Sequence, residues 1–371
     1  VEKAYKFRIY PNKQQEELIQ KTFGCTRFVY NYYLEKRKET YESESKTLNY
    51  YSCCADLTLL KKEIEWLREP DKWALQNSLR NLDSAYLNFF RRVKNGEKPG
   101  YPKFKSKRSN YKSYKTQFSR NNIVVLGKYI KLPKLGLVPC RVSKQIEGRI
   151  LNATINQNPS GKYFVSICCT EVEISKPKPT GAMVGIDLGI KDLCITSDGQ
   201  CFANPKYFNQ SQKKLAKLQR ELSRKSKGSN NYEKARIKVA RCYEKITNQR
   251  KDTIHKITTT FVRNYDLIVM ETLATRDMVK DRRLAKLIND VAWGEIARQL
   301  EYKAEWYGKT LVKVDRFYAS SQICSHCGYK NFDTKNLAVR KWGCPSCGTH
   351  HDRDINAAKN ILNEGVQILS A

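Results

Sequence analysis

The chain has 371 residues and carries 69 Lys and Arg against 37 Asp and Glu, a net charge of +32. Hydrophobic residues make up 40% and aromatics 11%, enough apolar material for packed cores, which excludes a wholly disordered chain. The charge excess resists compaction by self-repulsion and points to a large polyanionic partner, while no apolar run approaches the ~20 residues that span a bilayer.

The length suits two or three domains, since single cores stop growing near ~250–300 residues. The opening Tyr5-Lys6-Phe7-Arg8-Ile9 alternates apolar and basic residues, the signature of a half-buried strand that Pro11 ends. Helices are expected over 13–38 and 56–68. A third is expected from Trp73 to Arg92, where Leu75, Leu79, Leu82, Tyr86 and Phe89 form one apolar stripe, so the three should pack as a small bundle. Residues 91–120 hold 11 Lys and Arg against the single acid Glu97, interleaved with Tyr101, Phe104, Tyr111, Tyr114 and Phe118. Aromatics beside cations are what stacking on bases and pairing with phosphates require, and the glycines and prolines there exclude a long helix. Strands follow at 123–132, 137–142, 149–157 and 162–170. With the first strand they predict a small barrel, the helical bundle being inserted between its first and second strands.

Ser175-Lys-Pro-Lys-Pro-Thr-Gly181 reads as a stiff linker. After it, Val184-Gly-Ile-Asp187 is a short buried strand, and Asp198-Gly199 marks a hairpin turn between 193–196 and 200–202. A helical pair is expected over 209–262, broken near Gly228-Ser229-Asn230. Its segment 209–251 has 14 basic and 3 acidic residues, a second positive surface. Leu267-Ile-Val-Met-Glu271 is another buried strand, 285–307 a helix, 310–315 a strand and Ile355–Asn363 a closing helix. The order is that of an α/β layer.

Thirteen cysteines, an odd number, do not suit a secreted disulfide framework, and no apolar signal core follows Val1-Glu2-Lys3-Ala4. A reducing compartment, the cytoplasm, is expected. Four cysteines stand apart: Cys324-Ser-His-Cys327 and Cys344-Pro-Ser-Cys347 are separated by 16 residues, with Gly328 and Gly348 closing each knuckle. Four thiolates leave no open coordination position, so one structural Zn²⁺ is expected, typically contributing ~10 kcal/mol or more to folding. His326, His350 and His351 are alternative ligands, though four cysteines suffice.

Three acids stand where an apolar element meets a loop: Asp187, Glu271 and Asp354. Carboxylates on neighbouring strand ends and a helix N-terminus can converge on two Mg²⁺ ions about 4 Å apart, as phosphodiester hydrolysis by two metals needs. Taken singly, an acid at a strand end is more often a solvated turn residue than a catalytic group, and Asp354 suits a helix N-cap. Position alone does not choose Asp354 over Asp352.

Together, Gly185-Ile-Asp187-Leu-Gly, Asn248-Gln-Arg-Lys-Asp-Thr-Ile-His255-Lys, Val269-Met-Glu271-Thr-Leu, Ser320-Ser-Gln-Ile-Cys324-Ser-His-Cys327-Gly and Asp352-Arg-Asp354-Ile-Asn-Ala-Ala resemble the TnpB family of insertion-sequence proteins, relatives of compact type V CRISPR effectors. Phe7-Arg-Ile-Tyr-Pro, Phe23-Gly-Cys-Thr-Arg27-Phe-Val-Tyr-Asn31 and Gly100-Tyr-Pro-Lys-Phe-Lys105 extend the resemblance over nearly the whole chain. It implies a multidomain α+β fold. A wedge-type β-barrel (1–10 and 96–178) is split by a helical recognition lobe (11–95). An RNase H-like RuvC nuclease domain (179–319 and 351–371) holds an inserted zinc ribbon (320–350).

The resemblance also makes Asp354, two residues before Asn356, the third acid of the site. It implies an RNA-guided DNA endonuclease that takes guide RNA and double-stranded target DNA, reads a short target-adjacent motif and works in a bacterial cytoplasm, on the nucleoid when at its target. No membrane partner or protein oligomerisation is required. Gln76, Asn77, Lys103, Lys105, Tyr111, Lys112 and Arg250 are the candidate nucleic-acid contacts, with motif reading placed on Gln76 and Asn77. The competing readings are a guide-independent nuclease on the same fold, which leaves the large N-terminal half unexplained, and a non-cleaving regulator, which has no need of all three acids.

Overall fold

In the computed structural model, which describes residues 1–108, 111–336 and 338–370, the chain divides into two compact units, Val1–Glu173 and Ile174–Ala371. The division falls just before the Lys-Pro segment. Among the described residues no helix is long and apolar enough to cross a membrane.

The first unit begins with β1 (Lys3–Ile9), whose alternate residues Tyr5, Phe7 and Ile9 are buried. Then come α1 (Lys13–Glu44), α2 (Tyr50–Glu63) and α3 (Lys72–Lys94). Both of the first two helices start on capping boxes. Asn12 and Gln15 close the first, Asn49 and Ser52 the second, which is why α2 starts six residues before the expected position. Val29, Tyr33, Leu57, Leu67, Leu75, Leu79 and Leu82 form the bundle core. The α3 stripe frays towards its end, leaving Tyr86 and Phe89 half-buried.

Six strands follow: β2 (Lys112–Gln117), β3 (Val124–Leu126), β4 (Tyr129–Leu132), β5 (Gly136–Arg141), β6 (Arg149–Gln157) and β7 (Tyr163–Thr170). All seven join one sheet in the order β2-β6-β7-β1-β5-β4-β3. The first strand thus lies in the middle of the sheet, and the helices are an insertion between β1 and β2. Two expectations need correcting. The expected strand over 123–132 is a hairpin, turned at Gly127 with φ 55°. The basic stretch also contains a strand, β2, because Tyr114 and Thr116 alternate inward and pair with β6.

The second unit opens with β8 (Met183–Leu188), β9 (Asp192–Thr196) and β10 (Cys201–Ala203), an antiparallel meander. The helices α4 (Tyr207–Ser223) and α5 (Asn230–Asn264) lead to β11 (Leu267–Glu271). After α6 (Thr275–Met278), α7 (Arg282–Val291) and α8 (Trp293–Tyr307) comes β12 (Thr310–Val314). The sheet order is β10-β9-β8-β11-β12, with β11 parallel to both neighbours. Because β11 is covered on both faces it reads as an unbroken apolar run. Ile268 and Met270 face a core with Phe261, Ile296 and Leu300, while Val269 faces Val312 and Ile361. The helix expected over 285–307 is broken in two at Ala292, where φ is 53°.

A short hairpin, β13 (Lys341–Gly343) and β14 (His350–Asp352), feeds directly into α9 (Arg353–Ser370), which is longer than the closing helix expected from sequence. This helix lies against the sheet at two glycines. A Cβ on Gly185 of β8 would collide with the carbonyl oxygen of Ala358 and come 2.7 Å from the Leu362 nitrogen. A Cβ on Gly365 of α9 would strike the side chain of Val269. Gly185→Ala must therefore push α9 away from β8. We expect a loss of about 1–3 kcal/mol or more, typical of overpacking, seen as a lowered melting temperature; unchanged melting would show that the contact yields freely.

Candidate active site and metal centre

Asp187 is the fifth residue of β8 and Glu271 the last of β11, one step beyond the paired Ile186 and Met270. Parallel neighbours therefore present two carboxyls at the same sheet edge. Asp354 arrives from the first turn of α9. All three line one cleft of ≈ 690 Å³, together with Arg316, Gln322, Arg340 and Arg353. The backbone N–H of Leu188 donates to Glu271 Oε1 at 3.3 Å. Asp352 and Asp354 differ in their hydrogen bonds. Asp352 Oδ1 accepts from the N–H groups of Asp354 at 3.0 Å and Ile355 at 3.2 Å, so Asp352 caps the helix and leaves Asp354 to the cleft.

Burial pushes the Asp187 carboxyl well above the usual carboxylate range, and the neighbouring charges of Glu271 and Asp354 push it further, against partial relief from Arg353 and Arg340. Burial likewise raises Glu271 to about 7, with the Leu188 N–H opposing. Like charges out of water repel, and a hard divalent cation coordinated by carboxylate oxygens relieves that repulsion. As hard oxygen donors the three carboxyls suit Mg²⁺ in kind, although among the described residues it is the four cysteines whose donor atoms already lie close enough together to hold an ion. Arg340 donates to Asp354 and is the cleft residue that sequence reasoning missed. No spacing marks it, since it reaches the acid only because β13 begins at the next residue and β14 ends two residues before Asp354. The Arg353 N–H donates to the Arg340 carbonyl at 2.8 Å and closes that frame.

The four cysteines meet as expected. Their sulfurs all lie within 4.8 Å of one another. Cys324 to Cys347 is 3.7 Å and Cys327 to Cys344 is 3.6 Å, against about 3.8 Å between thiolates on a tetrahedral zinc with Zn–S of ~2.3 Å. The two knuckles are built alike. Gly328 N–H donates to the Cys324 carbonyl and Gly348 N–H to that of Cys344, both at 2.9 Å, with φ of 78° and 72° at the two glycines. His351 Nε2 lies 3.0 Å from the Cys324 sulfur, and its ring packs on Trp342.

The candidate nucleic-acid residues separate into two groups. Lys105, Tyr111 and Lys112 line a second cleft, of ≈ 370 Å³, and Lys103 is exposed near them in sequence. Gln76 is half-buried on α3. Asn77 and Arg250 are tied to neighbouring elements. Buried Asn77 donates to the carbonyls of Trp73 at 2.8 Å and Lys115 at 3.0 Å and accepts from Gln117 at 3.2 Å, tying α3 to β2. Arg250 pairs with buried Asp290 at 2.8 Å, joining α5 to α7. A polar pair on a helix looks the same in sequence whether it faces a groove or a neighbouring strand.

The chain matches three family models: the "Probable transposase" family over residues 166–282, the "Cas12f1-like, TNB domain" over 293–361 and a "Helix-turn-helix domain" over 1–46. In the last range the structure has β1 and the single helix α1. Among curated relatives, a "Putative RNA-guided DNA endonuclease" of Streptomyces pristinaespiralis is 39% identical, over 99% of this chain and 90% of that protein. The "Putative RNA-guided DNA endonuclease InsQ" of Escherichia coli K12 is 36% identical, over 99% and 93%. The fold is similar to the protein of a Cas12f1–sgRNA–target DNA complex, with a TM-score of 0.59 at 15% identity, covering 98% of this chain and 99% of that one.

The raised carboxyls set a pH signature. A carboxyl whose folded pKa lies above its unfolded value binds more protons when folded. The magnesium-free protein therefore loses stability as pH rises from the ordinary carboxylate range near ~4 through about 7. Asp187→Asn removes part of this cost. At pH 8 without Mg²⁺ the variant should melt higher than the parent by a few degrees, on the order of 1–3 kcal/mol, and the gap should close near pH 4. Equal melting at both pH values would show that the acids do not repel. Separately, Cys344→Ser should lose bound zinc by elemental analysis and unfold the ribbon; full metal content with parental melting would overturn the four-cysteine site.

Proposed function

Because this chain belongs to the TnpB family, we propose that it is an RNA-guided DNA endonuclease, with one acidic site cutting DNA under the direction of a structured guide RNA. The observation that carries the reading is the cleft shared by Asp187, Glu271 and Asp354. Two strand ends and a helix N-terminus bring three carboxyls together at a cost in repulsion that packing alone does not require. The relatives named as RNA-guided DNA endonucleases, matched along nearly their full length, support the same activity.

In this reading Asp187, Glu271 and Asp354 hold two Mg²⁺, which supply an activated water and stabilise the leaving 3′ oxygen. Leu188 N–H fixes the orientation of Glu271. Asp352 holds the first turn of α9, and with it Asp354, at the cleft. Arg340 pairs with Asp354 and lines the same cleft, where its guanidinium would bind the scissile phosphate. Residues 179–319 and 351–371 form the RuvC-like nuclease, and 320–350 its zinc ribbon. Residues 1–10 and 96–178 make the wedge, carrying the recognition lobe 11–95. A target-adjacent motif would be read in the wedge and lobe, with half-buried Gln76 its candidate and Asn77 its support, while base pairing with the guide reads the rest.

The test is co-expression with the native flanking DNA and sequencing of the RNA that co-purifies. One discrete structured RNA ending in a variable segment, which programs Mg²⁺-dependent cleavage of matching DNA, is the expected result. Heterogeneous RNA whose removal leaves cutting unchanged would make the protein a guide-independent nuclease. Asp187→Ala should abolish cleavage and retain RNA, and Arg340→Ala should slow it at least tenfold, about 1.4 kcal/mol of barrier. Loss of RNA by Asp187→Ala would contradict its role.

A further inference from the structure

The second cleft, in the first unit, is built from three separate segments. Phe23, Thr26 and Arg27 come from one face of α1, Lys105 to Lys107 from the loop before β2, and Tyr111 to Ser113 from its start. That loop is held in place. Asn31 Nδ2 donates to the Lys105 carbonyl at 3.0 Å, Asn31 Oδ1 accepts from the Lys105 N–H at 2.8 Å, and the Lys105 ammonium lies 4.0 Å from the Tyr30 ring centre. No acid is among the lining residues, yet four cations are: Arg27, Lys105, Lys107 and Lys112. Phe23, itself packed edge-on against Tyr114, forms an apolar floor, and the Tyr111 ring is 63% exposed. The three hydroxyl side chains of Thr26, Ser106 and Ser113 complete the lining.

We propose that this cleft is a binding site for one unstacked nucleotide of the guide RNA. At ≈ 370 Å³ it lies at the small end of the ~300–1,000 Å³ range of ligand clefts, too small for a duplex. The cations take the phosphates on either side, the base stacks on Tyr111, and the hydroxyls meet the ribose. Three hydroxyls favour RNA over DNA, since the 2′-OH is what tells the two apart at a site. The cleft would thus fix the register of the guide by gripping one defined position, independently of base identity, because every base has a face to stack. The proposal rests on the guide-RNA reading above and adds where one nucleotide is held.

The test uses the full protein carrying its co-purified RNA, with 4-thiouridine incorporated and crosslinked by long-wavelength light. The expected result is a crosslink between a peptide containing Tyr111 and one discrete RNA position. Rebinding of that RNA by Tyr111→Ala should be weakened on the order of tenfold, the size expected of one lost stack. Arg27→Ala should flatten the dependence of log affinity on log salt by about 0.7, one phosphate contact to a single strand. Tyr111→Phe keeps the stacking face and should bind like the parent, which separates stacking from misfolding. RNA present but no crosslink at Tyr111, with parental affinity in both alanine variants, would overturn the subsite and leave the guided mechanism standing. A crosslink spread over many RNA positions would also overturn it. If no RNA co-purifies, the functional reading itself fails.

Discussion

The seating of α9 on the sheet is the constraint on which the candidate site depends. A helix packed through side chains stands about 10 Å from a sheet or helix neighbour. Here two residues without side chains bring the backbones together, Gly185 under Ala358 and Leu362, and Gly365 against Val269. The helix axis is thereby fixed at both ends, and its first turn has one place to go, beside the ends of β8 and β11. Asp354 owes its position to contacts one and three helical turns away from it.

That placement works against the electrostatics. Burial raises the proton affinity of Asp187 and of Glu271, the charges of Glu271 and Asp354 raise that of Asp187 further, and the fold holds them there nonetheless. The compensation is local. Arg340 pairs with Asp354, Leu188 N–H with Glu271, and Arg353 and Arg340 lower the field at Asp187. Arg340 and Asp354 in turn stand at the roots of the two ribbon strands, whose far ends are the Cys344–Cys347 knuckle. The thiol centre and the acid cleft are thus two ends of one short hairpin. The geometry of one end is tied to that of the other through three residues of each strand.

Much of this was legible in the residues, and the exceptions share a cause. The unbroken run Leu267–Met270 announced a strand covered on both faces, and the cysteine spacing announced a closed tetrahedral site, because both patterns are local. The acid trio was nameable only through family resemblance; taken singly, each carboxyl was better accounted for as a turn residue or cap. Asp352 and Asp354 were separated by two hydrogen bonds that no spacing reports. Arg340 and the ties of Asn77 and Arg250 were invisible for the same reason, since each partner is distant in sequence or set by a helix rotation. Strand β2 was hidden by its charge: Lys112 and Lys115 made it look like a loop for phosphates, while Tyr114 and Thr116 were turning inward. The break at Ala292 had no glycine or proline to mark it.

The three carboxyls come from positions 187, 271 and 354, in that order along the chain, whereas the N-terminal unit has a core of its own that is complete by residue 173. The two units are therefore unequally exposed to genetic damage. A frameshift or stop codon anywhere across the 181 codons from 174 to 354 removes the last carboxylate and spares the whole of the first unit. Decay of such a gene is biased towards chains that keep the first unit and its core and lack a complete acid cleft.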